Sequence, residues 1–200
     1  MNKMKKINNI IKGALLQVTF VTTVLLIASC GFNQEPKNTK DIAQEHNEAK
    51  FDNNEQEKDA RFLVSAAEAN LKQIQLGQLA QQKGNSRHVK ELGKMMEDSH
   101  TKSQRDLTAL AKSKRITIPT SATNDTRDAY EDLNKKSGND FDKAYADKMI
   151  SRHEDAIETF EKASTDSYDT DIKDWAIATL PDLRTNLNHS IECQKKCDKM

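Results

Sequence analysis

The chain has 200 residues, with 31 basic and 31 acidic side chains, three prolines, six glycines and 5% aromatics. That length and composition point to one domain built from amphipathic helices, because strands favour β-branched and aromatic residues. Residues 1–29 hold four lysines and no acid, so the remainder carries 31 − 4 = 27 basic against 31 acidic groups, about −4. A mildly acidic body excludes nucleic acid as an expected partner, since that affinity comes largely from neutralising phosphates.

In chain order, the first element is a basic start (Lys3, Lys5, Lys6, Lys12) followed by a mainly apolar run from Ala14 to Ala28. This is the pattern of a secretory signal, and the run falls short of the about 20 residues a spanning helix needs. The run ends Ile27-Ala28-Ser29-Cys30, with a branched apolar residue at −3 and small residues at −2 and −1. It resembles the lipobox of bacterial lipoproteins. The resemblance implies cleavage before Cys30, a diacylglycerol thioether on its sulfur and acylation of the freed amine, palmitate being a common acyl group. Two or three acyl chains anchor stably where one does not. Gly31 rather than Asp follows Cys30, which favours the outer membrane, facing the periplasm, over the inner.

Residues 30–58 are expected to form the lipidated cysteine and a flexible tether. They are rich in Asn, Gln, Glu and Lys, and as a coil the 28 residues after Cys30 would span roughly 30 Å. The distal half of this stretch could instead extend the first helix. Helical periodicity begins at Asp59, so residues 59–200 are expected to be the body. Helix one carries Phe62, Ala66, Ala69, Gln73, Leu76, Gly77 and Ala80 on one face, and Gly84 to Ser86 provide a stop and a cap. Helix two carries Val89, Leu92, Gly93, Met96, His100, Ser103, Leu107 and Leu110. A loop around Pro119 leads to a short helix over 124–137. Helix three then carries Phe141, Tyr145, Met149, His153, Ala156 or Ile157, and Phe160, and helix four Ile172, Ala176, Thr179, Leu183, Asn186 or Leu187, and Ser190. Helices of roughly 25 residues are about 38 Å long, and four of them make an all-α, up-down-type four-helix bundle. Gly77, Ala80 and Gly93 should let helices one and two approach closely, and Pro181 should kink helix four.

The blocks FLVSAAEANLKQIQLGQLAQQKGNS, VKELGKMMEDSHTKSQRDLTALAKSKRITIPT, SGNDFDKAYADKMISRHEDAIETFEKAS and IKDWAIATLPDL together carry a resemblance over about residues 59–195. They resemble the uncharacterised bacterial envelope family called domain of unknown function 4142, whose members look like ferritin-like four-helix bundles and are grouped with outer-membrane proteins. In that pattern a Glu on helix one, Asp-Asp-His on helix two and a His on each of helices three and four face the core. Here the corresponding positions are Gln73, Asp98-Ser99-His100, His153 and Asn186. Two strong ligands remain and two are neutral amides. A di-iron carboxylate site needs two Glu-x-x-His elements on different helices. Glu97-x-x-His100 supplies one, but Ile150 stands three residues before His153.

Two readings of Gln73, Asp98, His100, His153 and Asn186 follow. They form a hydrogen-bonded polar layer that sets the packing register, or they hold a transition metal in a partly degenerate site. A shared metal requires the histidine nitrogens to lie within about 5 Å of each other, since each ligand bond is near 2 Å. Cys193 and Cys197, four apart on the last helix, could form a local disulfide in an oxidising periplasm. Met95, Met96 and Met149 read as core. No phosphate loop or nucleophile elbow is present. The expectation is therefore a non-catalytic, lipid-anchored envelope protein with a binding or envelope-stress and maintenance role. Its partners are the membrane, through lipid, and a protein or small ligand whose nature the sequence leaves open. The alternative is a ferritin-like metal-binding protein.

Overall fold

A computed structural model describes residues 38–199, so the signal segment, Cys30 and the proximal tether lie outside the described residues. Among the described residues there are six helices and no strand: α1 Thr39–Glu48, α2 Asn54–Lys83, α3 Arg87–Ser113, α4 Asn124–Asn134, α5 Gly138–Asp166 and α6 Thr170–Cys197. Five of the six N-termini are capped by a side chain, α5 being the exception. Asn38, Asn53, Ser86, Thr123 and Asp169 accept from the first free amides of α1, α2, α3, α4 and α6. Gly84 ends α2 without a left-handed turn. A Cβ there would stand 2.6 Å from the Ala80 carbonyl, so glycine is required by crowding.

The four long helices pack as two hairpins, α2 with α3 and α5 with α6. One end of the bundle gathers Ala60, Leu63, Leu107, Ala111, Ile172 and Ala176. The other gathers Leu76, Leu79, Val89, Leu92, Phe141 and Tyr145. The start of α2 thus lies with the ends of α3 and α5, so the helices run up, down, down, up. The α3–α5 connection must travel the length of the bundle, which is the single long crossover of ferritin-like topology. Along it, Ile116 joins the first cluster and Ala129 and Leu133 of α4 join the second. The all-α bundle expected from periodicity is the observed architecture, and the crossover is what turns it into two antiparallel hairpins.

The tether expected to run to residue 58 is shorter than that. Residues from 38 onward are part of the body: α1 packs on α2, and α2 starts five residues before Asp59. The physical reason is a clasp that composition does not reveal. The Asn47 side chain donates to the Thr117 carbonyl and accepts from the Thr117 amide, both at 2.8 Å, pairing α1 with the crossover as a strand would. Ala43 and Asn47 are buried on this face, while His46 stays exposed.

Two buried carboxylates lock the hairpins to each other. Asp142 of α5 accepts from the amides of Asn85 and Ser86 in the α2–α3 turn, at 2.8 and 2.7 Å. Asp59 of α2 accepts from those of Tyr168 and Asp169 in the α5–α6 turn, at 3.2 and 2.8 Å. The offsets agree: 142 − 59 and 169 − 86 are both 83, relating the two carboxylates and the caps Ser86 and Asp169. The two hairpins therefore share one internal register. Pro181 lies within α6, exposed, and the helix runs on through it to Cys197.

Candidate functional site

A polar layer separates the two apolar clusters at mid-height. Asn70 and Gln73 come from α2, His100 and Ser103 from α3, His153 from α5 and Asn186 from α6; Asn70, Gln73, His100, His153 and Asn186 are each at most 5% exposed. The helix-one face is rotated by about one residue from its expected position. Asn70 is buried and Ala69 exposed, so Ala66, Asn70, Gln73 and Gly77 form the inward stripe. Every helix carrying the layer has an apolar stripe above and below it, and this holds the polar side chains in register.

The histidines meet edge to edge. His100 Nε2 lies 3.3 Å from His153 Nε2. His153 Nδ1 lies 2.7 Å from the Met149 carbonyl oxygen, which can only accept, so Nδ1 carries the proton and Nε2 a lone pair. His100 Nδ1 lies 2.9 Å from Asn70 Oδ1, and Asn70 Nδ2 lies 3.1 Å from Ser103 Oγ. With the amide oxygen on His100, its Nδ1 must donate, and two Nε2 lone pairs face each other. With the amide turned over, Asn70 donates to His100 Nδ1, His100 Nε2 donates to His153 Nε2, and Ser103 donates to the amide oxygen. Every group is then satisfied in one unbroken direction. Burial, and after it the charge of His153, pushes His100 down to about 3. Burial also lowers His153, opposed by its bond to the Met149 carbonyl. Both rings are neutral at pH 7.

The other expected members stand apart from this pair. Asn186 is buried at the same level, but its amide donates to Ser99 Oγ at 3.0 Å and not to a histidine. Asp98 is exposed and pairs with Lys94 at 2.7 Å, so it leaves the candidate set: its place on α3 points it to solvent. Glu97 also faces outward, accepting from Gln78 and Gln81 at 2.8 and 2.7 Å. Gln73 remains, buried with its Oε1 lacking any partner. Cys193 and Cys197 are free thiols buried in the second apolar cluster, not a disulfide. Burial pushes Cys193 up to about 12 and raises Cys197 too, so both behave as small apolar residues. Met96 and Met149 are fully buried in that cluster, as expected of core residues.

From the layer a cleft of about 160 Å³ opens between α2 and α5, with His100, His153 and Gln73 as its floor. Its walls include Lys72 and Arg152, which the sequence reading missed, because a lysine and an arginine on otherwise apolar stripes look like ordinary surface charge. Lys72 is buried and contacts Asp125 of α4. Arg152 is half-buried, and its Nε has no acceptor. Asn70 could have been found from its spacing three residues before Gln73.

The family model described as domain of unknown function (DUF4142) matches residues 44–192. The chain belongs to this family. No curated protein and no solved structure matches it. The DUF4142 match begins at residue 44, inside α1, so residues 44–58 of the expected tether fall within the family domain. Among the described residues of this DUF4142 chain, no group of three or more His, Cys, Asp or Glu converges as a metal cluster.

Proposed function

We propose that the protein is a lipid-anchored component of the bacterial cell envelope, held through Cys30 in the outer membrane facing the periplasm. Its bundle acts by binding, in envelope maintenance or stress, and not by catalysis. The observation that carries this reading is the ordered N-terminal run of basic start, apolar segment and Ile27-Ala28-Ser29-Cys30. The hydrogen-bonded chain from Met149 to Ser103 supports the non-catalytic half, because its members satisfy one another without a ligand. Asn38 follows Cys30 by 38 − 30 = 8 residues, so an anchored body stays within about 29 Å of its lipid even on a fully extended chain. Metabolic labelling of cells with an alkynyl palmitate analogue tests the anchor. Label on the full chain, lost in Cys30→Ala, is expected. An unlabelled protein that retains residues 1–29 would sink the reading.

One observation favours a second reading, a bound transition metal. Nitrogens 3.3 Å apart match two ligands of one tetrahedral ion, since bonds near 2.05 Å at about 107° give that separation. His100 and His153 would hold it in the lone-pair arrangement, with Gln73 Oε1 as a third, uncharged donor; such an ion would supply Lewis acidity. The set has the right bite but no anion to offset a buried dication, which places this reading second. Elemental analysis of protein purified without chelator decides between them. Less than about a tenth of an equivalent of any transition metal removes it, because a resident metal survives purification.

A further inference from the structure

Cys193 and Cys197 lie one turn apart on the inward stripe of α6, at the end of the bundle that gathers Leu76, Phe141 and Tyr145. They are the chain's two cysteines besides Cys30, and both are free thiols that interact with each other. Helical spacing suits this pair badly for a disulfide. Side chains four apart on a helix hold their Cβ atoms about 5–6 Å apart, whereas a disulfide wants about 3.5–4.5 Å. A metal bridge fits that spacing, because bonds near 2.3 Å hold two sulfurs about 4–4.6 Å apart around one ion. A route to the sulfurs exists. Cys193 lines a groove of about 140 Å³ between α3 and α6, together with Met95, His88 and His189. Cys197 is the last residue of α6, and helix ends fray.

We propose that Cys193 and Cys197 bind one soft monovalent metal ion, Cu(I), through their two sulfurs. Each thiol gives its proton to solvent as its sulfur–copper bond forms, and copper keeps its oxidation state throughout. Thiolate and thioether ligands select Cu(I), and the Met95 thioether stands in the same groove. Zn(II) takes four ligands, and among the described residues no three His, Cys, Asp or Glu groups converge. Burial keeps both thiols protonated in the metal-free chain, but a coordinating thiol is deprotonated outright. Lys196 favours the Cys193 thiolate. The opposing carboxylates are already answered: Asp142 by two backbone amides, Asp147 by Gln194 and Asp198 by Lys143. The proposal gives the binding role inferred above one chemical class of ligand. It rests neither on the lipid anchor nor on a metal at His100 and His153, so its failure leaves the labelling result untouched.

The test is anaerobic titration of Cu(I), under ascorbate, into the full chain carrying Cys30→Ala, so that the pair supplies the only thiols. Bicinchoninate, whose Cu(I) complex is coloured, competes for the ion. One equivalent of copper should leave the chelator for the protein, with an ultraviolet thiolate-to-copper charge-transfer band. Ag(I), a second soft monovalent ion, should displace the copper, and equimolar Zn(II) should not. Cys193→Ala and Cys197→Ala should each weaken binding by at least about a hundredfold, the upper end of what losing a ligand-orienting contact costs. The double variant should leave all the copper on the chelator. Should the alanine variants fail to fold, X-ray absorption of the copper-loaded chain reads the ligands directly, and sulfur neighbours are expected. Copper that stays wholly on bicinchoninate overturns the proposal, as does its displacement by Zn(II). Copper retained by the double variant, or a nearest shell of nitrogen alone, overturns it as well and moves the ion to the histidines.

Discussion

At the scale of single residues, the His100–His153 contact governs how the protein responds to acid. Both rings are neutral when folded, and His100 does not take a proton until about pH 3. The unfolded chain protonates histidine near 6.5. Between those values the unfolded state binds more protons, so stability must fall as pH falls, by about 1.4 kcal/mol per unit for His100. His100→Gln keeps a polar group in the layer and removes this titration. At pH 7 the variant should lose about 1–3 kcal/mol through its broken hydrogen bonds. Below 6.5 that deficit should shrink with each step of acidification. Urea unfolding at pH 7, 6 and 5 measures it, and a deficit that stays constant would show that the histidine is not buried neutral. His100 and His153 were legible in the sequence because they sit at helical spacing on apolar stripes. Asn70, the residue that decides the proton order, was not, since the predicted face of α2 was turned by one position. Gln73 was legible as an inward amide. Its lack of a partner was not, because that depends on what three other helices place opposite it.

At the scale of elements, α2 and α3 are held at backbone contact. A Cβ on Gly77 would lie 2.6 Å from the Gly93 carbonyl oxygen and 3.0 Å from the Glu97 amide nitrogen. The reciprocal Cβ on Gly93 would lie 2.6 Å from the Gly77 carbonyl oxygen and 2.8 Å from Ala80 Cβ. Two effects of a Gly77→Ala change oppose each other. Alanine favours the helix by about 1 kcal/mol, whereas a methyl group against rigid backbone forces the helices apart, typically at 1–3 kcal/mol. The obstacle is backbone on both sides and cannot rotate away, so crowding should win. The expected result is a net loss of stability in urea unfolding, and an unchanged or more stable variant would refute the close approach. This feature was readable in advance, because two glycines and an alanine fall on facing stripes. The short α1 was not, because its stability lies in the Asn47–Thr117 clasp, between residues 70 positions apart.

At the scale of the whole molecule, two helical hairpins are joined by a crossover and locked by exchanged carboxylates, Asp59 to one turn and Asp142 to the other. Each carboxylate answers two amides that a turn would otherwise leave unpaired, so neither hairpin is complete without its partner. Apolar period and cap residues, which act over a few positions, determined the helices, their inward faces and the all-α class. The run Ile27-Ala28-Ser29-Cys30, on which the proposed lipid anchor rests, is likewise a pattern of neighbouring residues. Tertiary structure decided the rest: the up, down, down, up order, the early start of the body at residue 38, and the outward turn of Asp98. It also brought His100 within 3.3 Å of His153 and buried Arg152 Nε and Gln73 Oε1 without a hydrogen-bond partner. The reason is range. Periodicity and capping are written into neighbouring residues, whereas burial, proton order and an unanswered hydrogen bond arise only when distant helices meet.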